Sequence, residues 1–397
     1  MRIGSTICSR ATIAGAVLFV VGSCALGSDY TWVDPGRDVN WNDPGVWTGC
    51  GYPGSAGDVA CLAANTSRAV SLNGLSVALG KMCVSDPSGD GNFAILPGGG
   101  GQLTFNAGLP GPAAVLLVTQ SSPGAGTTAP LAISAPVVLD SDLISIVAAP
   151  WSDVLLSGPV LGPAGLTKVG QGVLTLASAG DANYTGAVQV VDGTLELREG
   201  AALTSASGIQ VYADGTLSLV NLEMNLSNRL SASGCLTMRG GTFQFVGAEA
   251  NQSSQNAGVL SLASGDSWII NTPGLSGGNA KLSFTSFSRQ TGATLNFVGA
   301  FGTSADQILL NADANLVVLT GGILGGWATA GADWASYEPN VGVTVLPASS
   351  YLSQAVDGNW TIAVNAKPGG PVVLTANRTI NSLNKALGGN IAANGFT

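Results

Sequence analysis

Histidine is absent from the chain. That removes the commonest general base and metal ligand, and with it Ser-His-Asp, Cys-His and His-zinc chemistry. Charge is scarce too: Asp, Glu, Lys and Arg make up 9% of the 397 residues, against about 25% in ordinary globular proteins. The 14 basic residues form no stripe, and the 23 acidic ones leave a net charge of −9. Nucleic acid is therefore not an expected partner, because phosphate binding draws on clustered Lys and Arg. Beyond the N-terminus no uninterrupted apolar run reaches the ~18 residues that a membrane-spanning helix needs.

What is abundant is glycine, with 57 residues, roughly twice the average usage of about 7%. Such a content would signal disorder in a polar chain. Here 46% of residues are hydrophobic, enough apolar area to offset the entropy of ordering. A long, glycine-rich, weakly charged and apolar chain fits an elongated array that adds core by stacking.

The N-terminus reads as an export signal over residues 1–27. Arg2 and Arg10 make a positive n-region, residues 11–21 are an apolar core, and Ala25-Leu26-Gly27 is a small-x-small cleavage pattern before Ser28. A second processing route is open, because Val21-Gly22-Ser23-Cys24 resembles a bacterial lipobox, which would make Cys24 a lipidated first residue. Both routes predict a secreted or cell-surface protein. Cys50, Cys61, Cys83 and Cys235 remain after the leader. Export permits a disulfide, a local bridge such as Cys50 to Cys61 or free buried thiols being the two readings, and the spacing is not that of a zinc site.

Residues 28–100 are rich in tryptophan and turn residues (Trp32, Trp41, Trp47) and read as an N-terminal capping region of short strands. Residues 101–397 read as a β-helical repeat region. The segments Gly172-Val-Leu-Thr-Leu176, Gly193-Thr-Leu-Glu-Leu197 and Gly215-Thr-Leu-Ser-Leu219 begin 21 and 22 residues apart. Related forms start at Gly234, Gly241, Gly258 and Ala293 with irregular spacing. A period near 20 belongs to solenoids, in which one repeat cannot bury its own apolar face. Glycine is expected to supply a positive-φ turn, the two leucines to point inward and the residue between them outward. The fold class predicted is all-β, a right-handed parallel β-helix or β-solenoid with a Trp-rich N-terminal cap.

The clearest repeat, residues 165–200, resembles one unit of the autotransporter-associated β-strand repeat. The residues that carry the likeness are Gly165, Lys168, Gly172, Leu174 and Leu176, then Asn183-Tyr184-Thr185-Gly186, then Gly193, Thr194 and Leu195. Val173 and Ala187 stand where Thr and Gly are more usual in that family. Gly321 to Tyr337 is similar to a Gly-Gly-Trp-Ala-Thr segment that accompanies these repeats, and residues 40–49 resemble the opening of such proteins. The resemblance implies a passenger segment that supports export and cell-surface display, with adhesion to extracellular matrix or carbohydrate as its activity. Its partners would include the export machinery. Membrane attachment would come only through a lipid anchor or a C-terminal barrel, which this chain lacks and which makes a truncated longer protein the expected setting.

The alternatives are a secreted polysaccharide lyase or hydrolase, or a carbohydrate-binding module, on the same scaffold. Asp140 with Asp142, and Glu196 with Glu199 around Arg198, are the acid pairs to weigh for glycoside cleavage, and an extended segment would put Asp140 and Asp142 on one face. Asp86-Pro-Ser88-Gly-Asp90-Gly91-Asn92 has the alternating oxygens of a calcium loop, but Pro97 stands where a bidentate Glu is required. Pro97 to Gly101 lacks the Lys and Ser/Thr of a phosphate loop. Trp327, Trp334 and Tyr337 could form a sugar-stacking platform, although aromatics in this setting more often pack. None of these carries a catalytic, cofactor or metal assignment.

Overall fold

The computed structural model describes residues 27–63, 67–87, 91–108, 112–120, 131–178, 184–310, 319, 321–353, 357–384, 390–395 and 397. Among them the regular elements are β-strands and two 3-10 turns. The chain divides into two compact units, Met1–Leu174 and Thr175–Thr397.

In the first unit the chain visits three parallel ladders in rotation. The first stacks Asp29–Thr31, Val59–Ala63, Lys81–Asp86, Ala114–Gln120, Leu143–Val147 and Leu166–Val169. The second stacks Val39–Asn40, Arg68–Ser71, Phe93–Leu96, Leu131–Ile133 and Asp153–Leu156. The third stacks Ser76–Leu79, Gln102–Phe105, Val137–Leu139 and Val160–Leu161. Strand alternation turns every second side chain inward, so identical rows meet coil on coil. Leu62, Val84, Val118 and Val147 form one row, Val70, Ile95, Ile133 and Leu156 another, and Val77, Leu103, Val137 and Val160 a third. All twelve are buried, each contributing about 1.5–3 kcal/mol of apolar transfer.

Parallel stacking thus begins at Asp29, inside the tryptophan-rich stretch. The tryptophans pack against the early coils: Trp32 meets Trp47 edge-on at 5.4 Å and Phe93 at 5.8 Å, while Trp41 lies 4.8 Å from Trp47. Two indole N–H groups are satisfied within the cluster, Trp41 donating to the Pro53 carbonyl at 2.6 Å and Trp47 to that of Trp41 at 2.7 Å.

The second unit opens with two long strands, Ala187–Leu197 and Gly208–Val220, paired in parallel. Their register is offset by one residue between Val190 and Asp192, where Val190 faces Val211 but Asp192 faces Asp214. The 21- and 22-residue spacings in the sequence coexist in this one pair. The next coil divides the long strand into two arms, Cys235–Arg239 and Thr242–Val246. One arm continues through Val259–Leu262 and Ser286–Arg289. The other continues through Asp266–Thr272, Thr294–Val298 and Ala328–Ala330. A further ladder stacks Gln252–Asn256, Asn279–Phe284 and Asp306–Leu310.

Parallel order is interrupted at Ala328–Ala330, which pairs antiparallel with Asp333–Glu338, itself antiparallel to Gly342–Val345. Short parallel pairs resume beyond it. Tyr351–Leu352, Asn365–Ala366 and Ser382–Leu383 stack, as do Val372–Val373 and Ile391–Ala392, around a small core of Trp360, Ala366, Val372 and Leu374. The architecture is all-β with long parallel ladders, compatible with a solenoid.

Candidate functional site

The residues of the repeat motif build coils. Gly165 donates its N–H to the Asp142 carboxylate at 2.7 Å. Lys168 is wholly buried, and its ammonium donates to the carbonyls of Val169 at 3.1 Å and Gly170 at 2.6 Å. Leu174, Leu176 and Leu195 are buried. Tyr184 is buried as well and donates its hydroxyl to the Ala187 carbonyl at 3.1 Å, Gly186 accepts the Ser207 N–H at 3.2 Å, and Thr185 is exposed. Thr194 is half-buried between the inward rows. Asn183 and Cys24 lie outside the described residues, as do Ser88 and Asp90 of the calcium-like loop. Asp86, from that loop, is buried and accepts the Gly91 N–H at 3.1 Å.

The motif glycines do not share one task. Gly193 has the expected positive φ, +67°, but inside the strand Ala187–Leu197, just past its register shift, rather than in a turn. Gly172 does not: a Cβ there would sit 2.2 Å from the Ser152 carbonyl oxygen, so its glycine is required by close approach of backbone to backbone.

The acid pairs sit in different local settings. Asp140 and Asp142 occupy the corner between Val137–Leu139 and Leu143–Val147 rather than one extended strand, and Asp142 is engaged with Gly165. Glu196 lies 4.0 Å from Arg198, while Glu199 itself has φ +46° beyond the end of the strand at Leu197. Among the described residues no three His, Cys, Asp or Glu side chains cluster as metal ligands. Of the three aromatics suggested as a platform, Trp327 and Trp334 are half-buried. Trp327 stacks on Phe287 at 5.2 Å and carries the Arg289 guanidinium 5.2 Å from its ring, and Tyr337 is buried.

A recess of about 460 Å³ opens instead beside the loop that precedes Cys235–Arg239. It is lined by Thr204, Ser227, Asn228, Ser231, Ser233 and Asn256 over Leu230. Hydroxyls and carboxamides of this kind exchange hydrogen bonds with a polyhydroxylated ligand. The loop is fixed from beneath by Arg229, which is wholly buried. Its guanidinium donates to Asn221 Oδ1 at 2.7 Å and to the carbonyls of Ala201, Val220 and Met224 at 2.7, 2.8 and 2.9 Å. Burial pulls this guanidinium down to about 10, which leaves it charged at neutral pH. Deeper in the same unit, Asn271 takes the inward place that Leu219 and Phe245 fill in preceding coils. It donates to Asp306 Oδ1 at 2.5 Å and to the Ala280 carbonyl at 2.9 Å. Burial pushes the Asp306 carboxyl above its ordinary value.

Sequence reasoning missed this polar interior, because nothing in the spacing marks a lone Arg or Asn as inward-facing. It also missed a thiol pair. Cys61 and Cys83 are direct register partners in the first ladder, whereas Cys50, the partner suggested by proximity in the chain, is exposed on a loop. The signal was present: Cys61 and Cys83 are 22 residues apart, one coil by the period read further along the chain.

Among the described residues no helix is long and apolar enough to cross a membrane. No family model matches the chain, and no solved structure matches it. It is similar to the adhesin BmaC autotransporter of Brucella suis biovar 1 (strain 1330), 31% identical over 146 residues. That stretch is 36% of this chain and 4% of the adhesin, so the chain matches only a small part of the relative's length.

Proposed function

We propose that the chain is passenger material of an exported, autotransporter-type surface protein, a stacked scaffold that displays adhesive surface outside the cell. The observation that carries this reading is the similarity to an autotransporter adhesin, in a chain whose inward apolar rows stack strand on strand. In this reading residues 1–27 are a leader, the three rotating ladders close as a right-handed β-helix, and residues 165–200 are a unit of the autotransporter-associated repeat. The recess over Leu230 is the contact for a carbohydrate-rich target, since its walls offer side-chain hydroxyls and amides.

The adhesive part is tested by applying the purified chain from Ser28 onward to a glycan array and to immobilised matrix proteins. Saturable binding to at least one glycan, weakened at least tenfold by Asn228→Ala with Ser231→Ala, is expected. Silence across both surfaces contradicts an adhesive role. Binding that ignores the double substitution contradicts the assignment to the recess.

A further inference from the structure

We propose that Cys61 and Cys83 form an inter-coil disulfide, a covalent staple between two successive coils of the first ladder that closes when the chain meets a disulfide oxidant outside the cytoplasm.

The geometry follows from the register. Cys61 faces Cys83 directly, with Ala60 against Met82 and Leu62 against Val84 on either side. Those four neighbours point inward and are buried, so alternation sends both thiols to the outer face, where each is half-buried. Neighbouring strands lie about 4.8 Å apart, within the roughly 4.4–6.8 Å between Cα atoms that a disulfide spans. No change of register is needed to bring the sulfurs together.

The pair is also set up for exchange. The facing Cys83 thiol lowers Cys61 to about 7, and the Lys81 ammonium acts in the same direction. Lys81 lies two residues before Cys83 and thus on the same face. Taken with Cys61 as the thiolate, Cys83 is the resolving thiol.

The oxidant is a disulfide R–S–S–R, small-molecule or protein. The Cys61 thiolate attacks one of its sulfurs, forming a mixed disulfide and expelling one R–S⁻. With the Cys61 charge removed, the main cause that holds Cys83 well above the ordinary thiol range is gone. Cys83 then loses its proton to solvent and attacks the Cys61 sulfur, expelling the second R–S⁻. Two protein thiols are oxidised and one disulfide is reduced to two R–S⁻, which take up the two protons the protein thiols lose.

The chemistry depends on the register and not on the adhesive reading, so it is tested separately. The folded full chain is equilibrated with glutathione disulfide, quenched by alkylation and digested without reduction, cutting before Asp and after Lys and Arg. The cuts release Cys61 in residues 58–68 and Cys83 in residues 82–85, apart from Cys50. A cross-linked pair of these two peptides, lighter by two hydrogens than their sum, is expected, and it disappears in both Cys61→Ser and Cys83→Ser. Cys50→Ser leaves it intact. Recovery of Cys61 and Cys83 as alkylated thiols, or of Cys61 joined to Cys50, overturns the proposal.

Discussion

Gly193 and Gly215 face each other in adjacent coils of the second unit, and each must be glycine for a different reason. Gly193 takes φ +67°. Gly215 does not, but a Cβ on it would lie 2.3 Å from the Val190 carbonyl oxygen, backbone that cannot step aside. Gly215→Ala is expected to cost about 2 kcal/mol through overpacking. Gly208, at the start of the same strand, has open space where its Cβ would be. Gly208→Ala is the matched control, expected to change stability by less than about 0.5 kcal/mol. Urea unfolding of the two variants reads the difference.

Much of this was legible in the sequence. The Gly-x-Leu-x-Leu segments do mark strands, and their leucines do point inward. The irregular later spacing had a physical origin that the sequence did not reveal: Gly234 and Gly258 head one arm of the divided coil, and Gly241 heads the other. Two interleaved series look like one ragged series because both arms need the same alternation. Register between coils, which brings Cys61 to Cys83 and Asn271 toward Asp306, is set by turn lengths that pattern alone does not report.

Arg229 holds its loop through backbone carbonyls rather than through a carboxylate. Arg229→Met keeps the bulk but leaves the carbonyls of Ala201, Val220 and Met224 and the Asn221 amide oxygen without this donor. A loss of about 3 kcal/mol or more is expected from several unpaired buried acceptors. Arg229→Lys should fall between the two, because an ammonium has three donors to a guanidinium's five. Chemical denaturation orders the three proteins, and a Met variant as stable as the wild type contradicts the role.

Two carboxyls give opposite pH dependence. Asp306 is raised above 3.8 by burial, so its protonation favours the folded state. Its contribution is largest below 3.8 and is lost as pH rises through the folded value. Asp357 is held below 3.8, first by the Arg378 guanidinium and then by the Thr375 N–H, both at 2.8 Å. Its contribution is complete above 3.8 and is lost as pH falls toward the depressed folded value. Stability measured from pH 7 down to pH 2 should lose its gain on mild acidification in Asp306→Asn. The later acid loss should be reduced in Asp357→Asn.

Ser28 offers a check on processing. Its backbone N–H already lies 2.9 Å from Asp58 Oδ1, and the same buried carboxylate accepts the N–H groups of Gly54 at 3.0 Å and Ser55 at 2.9 Å. Cleavage after Gly27 would place the new ammonium against Asp58 as an ion pair. N-terminal sequencing of the exported chain should read Ser-Asp-Tyr-Thr, and Asp58→Asn should lower the stability of that processed chain. A mature chain beginning at Cys24 with attached lipid would show the other route.

Surface display is the central claim, and protease accessibility on intact producing cells tests it most directly. Externally added protease should digest the chain in unpermeabilised cells while a periplasmic marker survives. A chain that stays protected until the outer membrane is opened contradicts the account.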